Sequence, residues 1–345
     1  MTDCALSPRE TKQFRSDLLR WFAAYQRSLP WRETSDPYCI WVSEIMLQQT
    51  RVAAVIPYYQ RFLERFPDFR ALAAASESEL LAHWSGLGYY YRARNMQQAA
   101  RLMSKRGMFP STYEEIRHLP GVGDYTAAAV SSIAYNLPYA ALDGNVLRVL
   151  SRVLDERTNI ASTIGRRRFS TLAQEMLDGK HPGAFNQAMM ELGATICLPK
   201  NPHCLLCPVA KLCRAASNGV ANELPVKAVR AAIVAERRTV FWIEKNGNLL
   251  LWRRPSNARL MPGFWELPEA VHLPDATLGA KLGAFRHGIT FHSYSFEVWE
   301  ATAPEAIGEC QWVPLTQLTS IPASTILKKS QRHVLCAKAA VSSRS

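Results

Sequence analysis

Cys197, Cys204, Cys207 and Cys213 fall within seventeen residues, with gaps of six, two and five residues between successive sulfurs. Neighbouring thiolates repel one another and resist burial unless a cation or an iron–sulfur core takes up their charge. The segment must therefore close around a common core. Disulfides are one alternative, but the start Met1-Thr2-Asp3-Cys4 is polar and no apolar targeting core follows, so the chain is expected in a reducing cytosol. Zinc is the other. Structural zinc sites usually pair two close-set couples across a longer gap, whereas one clustered run has the spacing of a [4Fe–4S] loop. The spacing predicts a [4Fe–4S] cluster on these four residues. Cys4, Cys39, Cys310 and Cys336 are scattered and read as ordinary thiols.

The 345 residues suggest about two domains. No stretch approaches the roughly eighteen uninterrupted apolar residues of a membrane helix. The net charge is +12, Arg outnumbers Lys 30 to 11, and the portions before and after residue 215 are both basic. A polyanion met by both domains is the expected partner, since Lys and Arg displace condensed counterions from phosphates. Up to Cys213 apolar residues recur at helical spacing, as in Phe14, Leu18, Trp21, Phe22 and Tyr25, then Ile40, Trp41, Ile45 and Leu47. Breakers such as Pro30, Pro37, Pro57, Pro120, Gly121, Gly123 and Gly144 divide the helices. Arg214–Arg237 has little periodicity and reads as a linker. Beyond it, Thr239–Glu244 and Leu249–Arg253 flank Lys245-Asn246-Gly247-Asn248, a hairpin signal, and Thr290–Ala301 and Cys310–Val313 are further strand candidates. The expected division is a helical domain over 1–215, a linker over 216–237 and an α+β domain over 238–345.

Leu119-Pro120-Gly121-Val122-Gly123 precedes the helical run Tyr125–Ala134. Gly121 and Gly123 around Val122 let the turn present backbone N–H groups at a helix start, where a phosphate can sit. Such a turn can equally be plain architecture. Its neighbours decide: Leu142-Asp143-Gly144-Asn145-Val146 places an acid at the mouth of the next helix, and the cysteine loop follows. This order of helix–hairpin–helix, aspartate and cysteine loop resembles the endonuclease III superfamily of DNA base-excision glycosylases. Trp41–Val52 (WVSEIMLQQTRV), Gly86–Tyr90 (GLGYY) and Phe185–Gly193 (FNQAMMELG) are similar to the MutY-type adenine glycosylases. The resemblance is close from Trp31 to Cys213 and looser beyond.

Cleaving an N-glycosidic bond at neutral pH needs an acid for the departing base and negative charge for the cationic sugar, which two carboxyls in different environments can supply. Glu44 sits among Trp41, Val42, Ile45, Met46 and Leu47. Turned inward, it should have a raised pKa and hold a proton for delivery; turned outward, it is an ordinary surface glutamate. The resemblance implies the inward role, protonation of adenine at N7. Asp143, at a helix start, should stay ionised or serve simply as an N-cap. The resemblance implies that it stabilises the oxocarbenium ion, with Asn145 and Tyr125 positioning sugar and water. Bifunctional superfamily members carry a lysine at the position of Tyr125. A phenol forms no imine, so a monofunctional enzyme leaving an abasic site is expected. The resemblance further implies Leu47, Gln49 and Tyr89 as wedge residues for base flipping, Trp31, Arg32, Gln49 and Glu191 as the adenine pocket, and Lys200, Lys211 and Arg214 as a basic loop braced by the cluster.

In the C-terminal part, Trp252-Arg253-Arg254-Pro255 and Met261–Pro268 resemble the opening of a Nudix fold, but Ala270-Val271-His272-Leu273-Pro274 stands where a magnesium-binding glutamate helix would be needed. The family senses 8-oxoguanine here through a Phe-Ser-His motif. This chain reads Thr290-Phe291-His292, with Thr290 in place of serine as a hydroxyl partner and His292 displaced by one residue. The expected fold is a mostly α helix–hairpin–helix glycosylase domain with an iron–sulfur loop, plus a C-terminal α+β Nudix-like domain. The expected partner is double-stranded DNA with an A:8-oxoguanine or A:G mispair, met by a monomer in the bacterial cytoplasm at the nucleoid.

Overall fold

Ser7 and Glu10 set the start of the first helix with a reciprocal cap: the Ser7 hydroxyl accepts from the Glu10 N–H at 3.3 Å, and the Ser7 N–H donates to the Glu10 carboxylate at 2.8 Å. Pro8 at the first helical position pre-sets the backbone of α1 (Pro8–Tyr25). Phe14, Leu18 and Phe22, four apart, form its buried stripe. Tyr25, expected on that stripe, is 73% exposed because the helix ends there. The structure, a computed structural model, describes residues 6–227, 234–258, 261–289, 292–304 and 307–342. It divides into two units: Met1–Ala74 with Asn95–Val229, and Ala75–Arg94 with Arg230–Ser345. Among the described residues no helix is long and apolar enough to cross a membrane.

After α1 come α2 (Pro37–Leu47), α3 (Val52–Arg65), α4 (Phe69–Ala74), α5 (Glu77–Trp84), α6 (Tyr91–Arg106), α7 (Tyr113–Arg117), α8 (Asp124–Tyr135), α9 (Gly144–Leu154), α10 (Thr163–Met176), α11 (Pro182–Thr195) and α12 (Arg214–Ser217). Asp36 caps α2 from the Tyr38 N–H, with Pro37 at its first position. Pro57 does not break a helix as expected but lies inside α3, which forgoes one N–H to carbonyl bond near its start. In the first unit α2 is buried on nearly every face, packed against α3 and α8. Helix α11 packs against α1, α8 and α9. Two glycines allow this: a Cβ at Gly183 would sit 2.5 Å from the Ser132 carbonyl oxygen, and one at Gly193 would sit 2.5 Å from the Asn145 Cβ.

In the second unit β1 (Val234–Trp242) pairs in parallel with β6 (His292–Thr302), which pairs antiparallel with β5 (Thr277–Ile289). A second sheet joins β2 (Glu244–Lys245), β3 (Asn248–Arg253), β4 (Trp265–Glu266) and β7 (Cys310–Pro314), the last pairing with β3. The expected hairpin is present: Lys245 faces Asn248 across Asn246 and Gly247, whose φ values of 49° and 72° suit a two-residue turn. Helix α13 (Thr325–Ser342) packs on β5, and Leu327 and Val334 join Val240, Leu249, Phe296 and Val298 in the core. Strand β1 begins at Val234 inside the expected linker, because Val234–Arg237 pair with His292–Ser295. The unit also includes Ala75–Arg94, where Tyr90 is buried against Phe264 with ring centroids 4.1 Å apart.

Candidate active site

The ends of α2, α8, α9 and α11 converge on a cavity of about 560 Å3 within the first unit, within the size range of ligand sites. Trp31, Arg32, Glu44, Leu47, Gln49, Tyr125, Asp143, Asn145 and Glu191 all line it. Glu44 lies on the third turn of α2 and is 5% exposed. The Tyr125 hydroxyl donates to Glu44 Oε2 at 2.6 Å, and the Tyr125 hydroxyl oxygen lies 3.2 Å from Met190 Sδ. Burial raises the Glu44 pKa to about 7, helped by the Asp143 charge and opposed by the Tyr125 hydrogen bond and Arg32. Tyr125 is itself raised well above its ordinary value by burial and both carboxyls, so the phenol keeps its proton and acts as a donor. The inward reading of Glu44 is the one the structure adopts.

Asp143 is the N-cap of α9. Its carboxylate accepts from the Val146 N–H at 2.7 Å and from the Asn145 N–H and side-chain amide, each at 2.8 Å. Burial nonetheless raises its pKa, outweighing these bonds and the Arg148 charge. The sequence showed only the groups that lower it, because desolvation depends on the fold. The donor set still favours the anion, since an ionised carboxylate accepts at every lone pair.

Glu191, on α11, is 1% exposed. Arg27 grips it at 2.6 and 2.7 Å and Arg32 at 2.8 Å. Burial works against the charge, yet the hydrogen bonds from Arg27 and Arg32 hold the pKa down at about 2. Arg32 also donates to the Arg27 carbonyl at 3.0 Å and lies 5.1 Å over the Phe22 ring. Trp31 packs edge-on to Tyr59 with centroids 5.4 Å apart. Gln49 holds a left-handed backbone at φ 56°, an uncommon state for a side-chain-bearing residue.

The four cysteines stand around a second, apolar cavity, lined also by Val149, Val153, Leu192, Ile196 and Val209. Among the described residues no three His, Cys, Asp or Glu close to the spacing of a single metal ion. Arg152, 1% exposed, donates to Cys197 Sγ at 3.2 Å and to the Leu198 and Pro199 carbonyls at 2.7 and 3.2 Å. Arg148 reaches the Cys197 carbonyl at 2.7 Å and Asn145 Oδ1 at 2.8 Å. A buried guanidinium at one sulfur, apolar walls and four facing thiols fit an anionic iron–sulfur core.

The remaining described candidates are not among the residues lining the cavity. Gly121, with φ 77° and a Cβ position 2.8 Å from the Asn95 Cβ, turns the hairpin between α7 and α8. Val122 is buried and Gly123 caps α8. Tyr89 belongs to the second unit and is 42% exposed. His292 is 2.6 Å from a Glu236 carboxylate oxygen and stacks on Tyr294; Thr290 and Phe291 lie outside the described residues. Sequence reasoning missed Arg27, Arg148, Arg152 and Met190. Only Met190 stood within a quoted motif; Arg27 and Arg152 meet Glu191 and Cys197, 164 and 45 positions away, and Arg148, besides its local bond to Asn145, reaches Gly193 45 positions away.

Residues 42–173 match the family described as HhH-GPD superfamily base excision DNA repair protein. The adenine DNA glycosylase of Mus musculus is 35% identical, with 92% of this chain and 76% of that protein covered. The adenine DNA glycosylase of Buchnera aphidicola subsp. Baizongia pistaciae is 37% identical over 71% of this chain and 72% of its own length. Among solved structures, a thermostable thymine-DNA glycosylase superposes with TM-score 0.56 and 29% identity, covering 61% of this chain and 98% of that one. An endonuclease III–DNA complex gives 0.54 at 22% identity over 62% of this chain and 99% of that one, a likeness of fold.

Proposed function

This chain belongs to the adenine DNA glycosylases of base excision repair, and from that we propose that it hydrolyses the N-glycosidic bond of adenine mispaired with 8-oxoguanine, or with guanine, and leaves an abasic site. The observation that carries this reading is the Tyr125 hydroxyl on Glu44, in a cavity that Asp143 also lines. With Oε2 held by the phenol, Oε1 is the atom that can carry a proton to N7 of the departing adenine. A pKa of about 7 leaves much of Glu44 protonated at neutral pH and still able to take a proton from the attacking water afterwards. Asp143, fixed by three donors, offers its anion to the cationic sugar. Tyr125 has no amine to attack the sugar, so no Schiff base forms and strand cleavage requires alkali.

The extruded adenine would enter beside Trp31 and Arg32. Glu191, whose carboxylate already accepts four hydrogen bonds from Arg27 and Arg32, orients those donors toward the purine nitrogens. Leu47, Gln49 and Tyr89 would fill the space left in the duplex, and the Gly121–Gly123 hairpin would seat a backbone phosphate. Cys197, Cys204, Cys207 and Cys213 would hold a [4Fe–4S] cluster, which spans more than one ion, in keeping with sulfurs set around a shared cavity. The cluster's contribution is to brace the loop bearing Lys200, Lys211 and Arg214 against phosphate. The C-terminal α+β unit would read the base opposite adenine, with His292 at the start of its β6, and the enzyme would act as a monomer on nucleoid DNA. Single-turnover adenine release from duplexes bearing A opposite 8-oxoguanine, G, C or T, with and without alkali, tests this. Alkali-dependent cleavage at adenine, fastest opposite 8-oxoguanine, and no borohydride-trapped adduct are expected. Equal release from A:T, or a trapped adduct, contradicts it.

A further inference from the structure

Tyr89 holds a left-handed backbone at φ 48°, a conformation that a tyrosine keeps only where its surroundings impose it. Those surroundings come from the far end of the chain. Before Tyr89, the Ser85 hydroxyl receives the Lys328 ammonium from α13. After it, Tyr90 packs on the fully buried Phe264 at 4.1 Å. Arg94 donates to the Pro262 carbonyl at 2.8 Å while its guanidinium lies 6.0 Å over the Phe264 ring. Inside the turn, Trp84 Nε1 and Arg92 both donate to the Gly88 carbonyl, at 3.0 and 3.2 Å. Arg92 also lies 5.5 Å over the Tyr89 ring. The turn is thus fixed from both flanks and from within, and Ala75–Arg94 fall in the same unit as Arg230–Ser345.

We propose that Lys328, Pro262 and Phe264 are positioning residues for Tyr89, so that the unit reading the base opposite adenine also sets the side chain that props the duplex open. The proposal rests on the reading above, in which Tyr89 is a wedge and the C-terminal unit senses the lesion. Coupling of two sites requires a physical element whose geometry both of them bias. Here that element is the Ser85–Arg94 turn, clamped by α13 at one end and by the Pro262–Phe264 turn at the other. A wedge and a sensor carried on one packed body share a fixed spacing, and no separate docking step is needed to align them. Selectivity for 8-oxoguanine over guanine then depends on contacts that touch neither DNA nor adenine. Lys328 acts through Tyr89, and its loss should matter only while Tyr89 is present.

The test compares the full-length, cluster-loaded protein with Lys328→Met, Arg94→Met, Tyr89→Ala and the double variant Lys328→Met/Tyr89→Ala. Single-turnover adenine release is measured on A:8-oxoguanine and A:G duplexes, with iron content and melting temperature recorded for each protein. Lys328→Met and Arg94→Met should lower the ratio of the two rates by at least about fivefold, the lower end of ordinary site-to-site coupling. The double variant should be no less selective than Tyr89→Ala alone. Should Lys328→Met fail to fold, Arg94→Met, which removes the bond to Pro262, carries the test with its own Tyr89→Ala double variant. An unchanged ratio in the single variants, or full additivity in the double, overturns the proposal. Equal wild-type rates on the two duplexes would instead refute the lesion-sensing reading, and the proposal would fall with it.

Discussion

Replacing Glu44 by glutamine should separate stability from activity in a pH-dependent way. Burial lifts the Glu44 carboxyl from 4.5 to about 7 in the folded chain. Between those values the folded state binds more protons than the unfolded one, so stability falls as pH rises through the interval, and the full cost is reached above pH 7. At 1.36 kcal/mol for each pH unit of the gap, that cost is about 3 kcal/mol. Glutamine has no charge to bury and retains an oxygen for the Tyr125 hydroxyl. For a unit of roughly 200 residues, where 1 kcal/mol moves Tm by about 2–4 °C, the Glu44→Gln variant should melt about 6–12 °C above wild type at pH 8. At pH 4.5 the two should coincide. Thermal unfolding of the cluster-loaded proteins from pH 4.5 to 8, alongside single-turnover adenine release, checks both halves. Adenine release should be lost in the variant at every pH. Parallel melting curves across this range would refute the claim that Glu44 is held in a desolvated site, and with it the reason that it can carry a proton at pH 7.

Asp143→Asn should keep the melting temperature near wild type, since asparagine caps a helix nearly as well, while single-turnover release falls by about 10²–10³, as for the loss of one preorganised electrostatic contact. Tyr125→Phe removes the hydrogen bond that lowers the Glu44 pKa, so the alkaline limb of the pH–rate profile should move to higher pH. Glu191→Gln leaves Arg27 and Arg32 facing a neutral amide; chemical denaturation should show a loss of about 3 kcal/mol, as when a buried pair loses one partner. The low pKa of Glu191 also contributes stability above pH 4.5 that disappears as pH falls toward 2, so this variant should show a flatter acid-denaturation curve. Cys204→Ser should reduce iron below four atoms per chain and weaken DNA binding more than it alters the chemistry measured at saturating enzyme.

The parts of the site legible in the sequence were those whose chemistry is written locally. Glu44 lies among apolar helical neighbours, Asp143 stands directly before the helix it caps, and the cysteines are spaced along one loop. Arg27 and Arg152 were not legible, because their roles are set by partners brought close only in the folded chain, Glu191 for one and Cys197 for the other. The direction of the Asp143 shift was missed for the same reason: its donors are adjacent in sequence, whereas the burial that outweighs them comes from the packing of other helices. Strand β5 escaped notice because Thr277–Ile289 carries Gly279, Gly283 and Gly288 and no clean alternation, and its pairing with β6 holds it extended despite irregularities near Leu278 and Lys281. The grouping of Ala75–Arg94 with the C-terminal residues was equally invisible, since Phe264 and Lys328 announce their contacts with Tyr90 and Ser85 by no spacing rule.

Gly193 gives the site a vulnerable point that a survey of substrate-contacting residues would overlook. Its missing side chain is what allows Asn145 to lie against α11, since a methyl there would fall 2.5 Å from the Asn145 Cβ. Asn145 in turn donates to Asp143. An inherited alanine or serine at 193 would add a few atoms, leave every catalytic group present, and displace the aspartate's own support. Such an allele would look conservative by size and polarity, yet it should behave as a loss of catalytic function with the protein still folded and still bound to DNA.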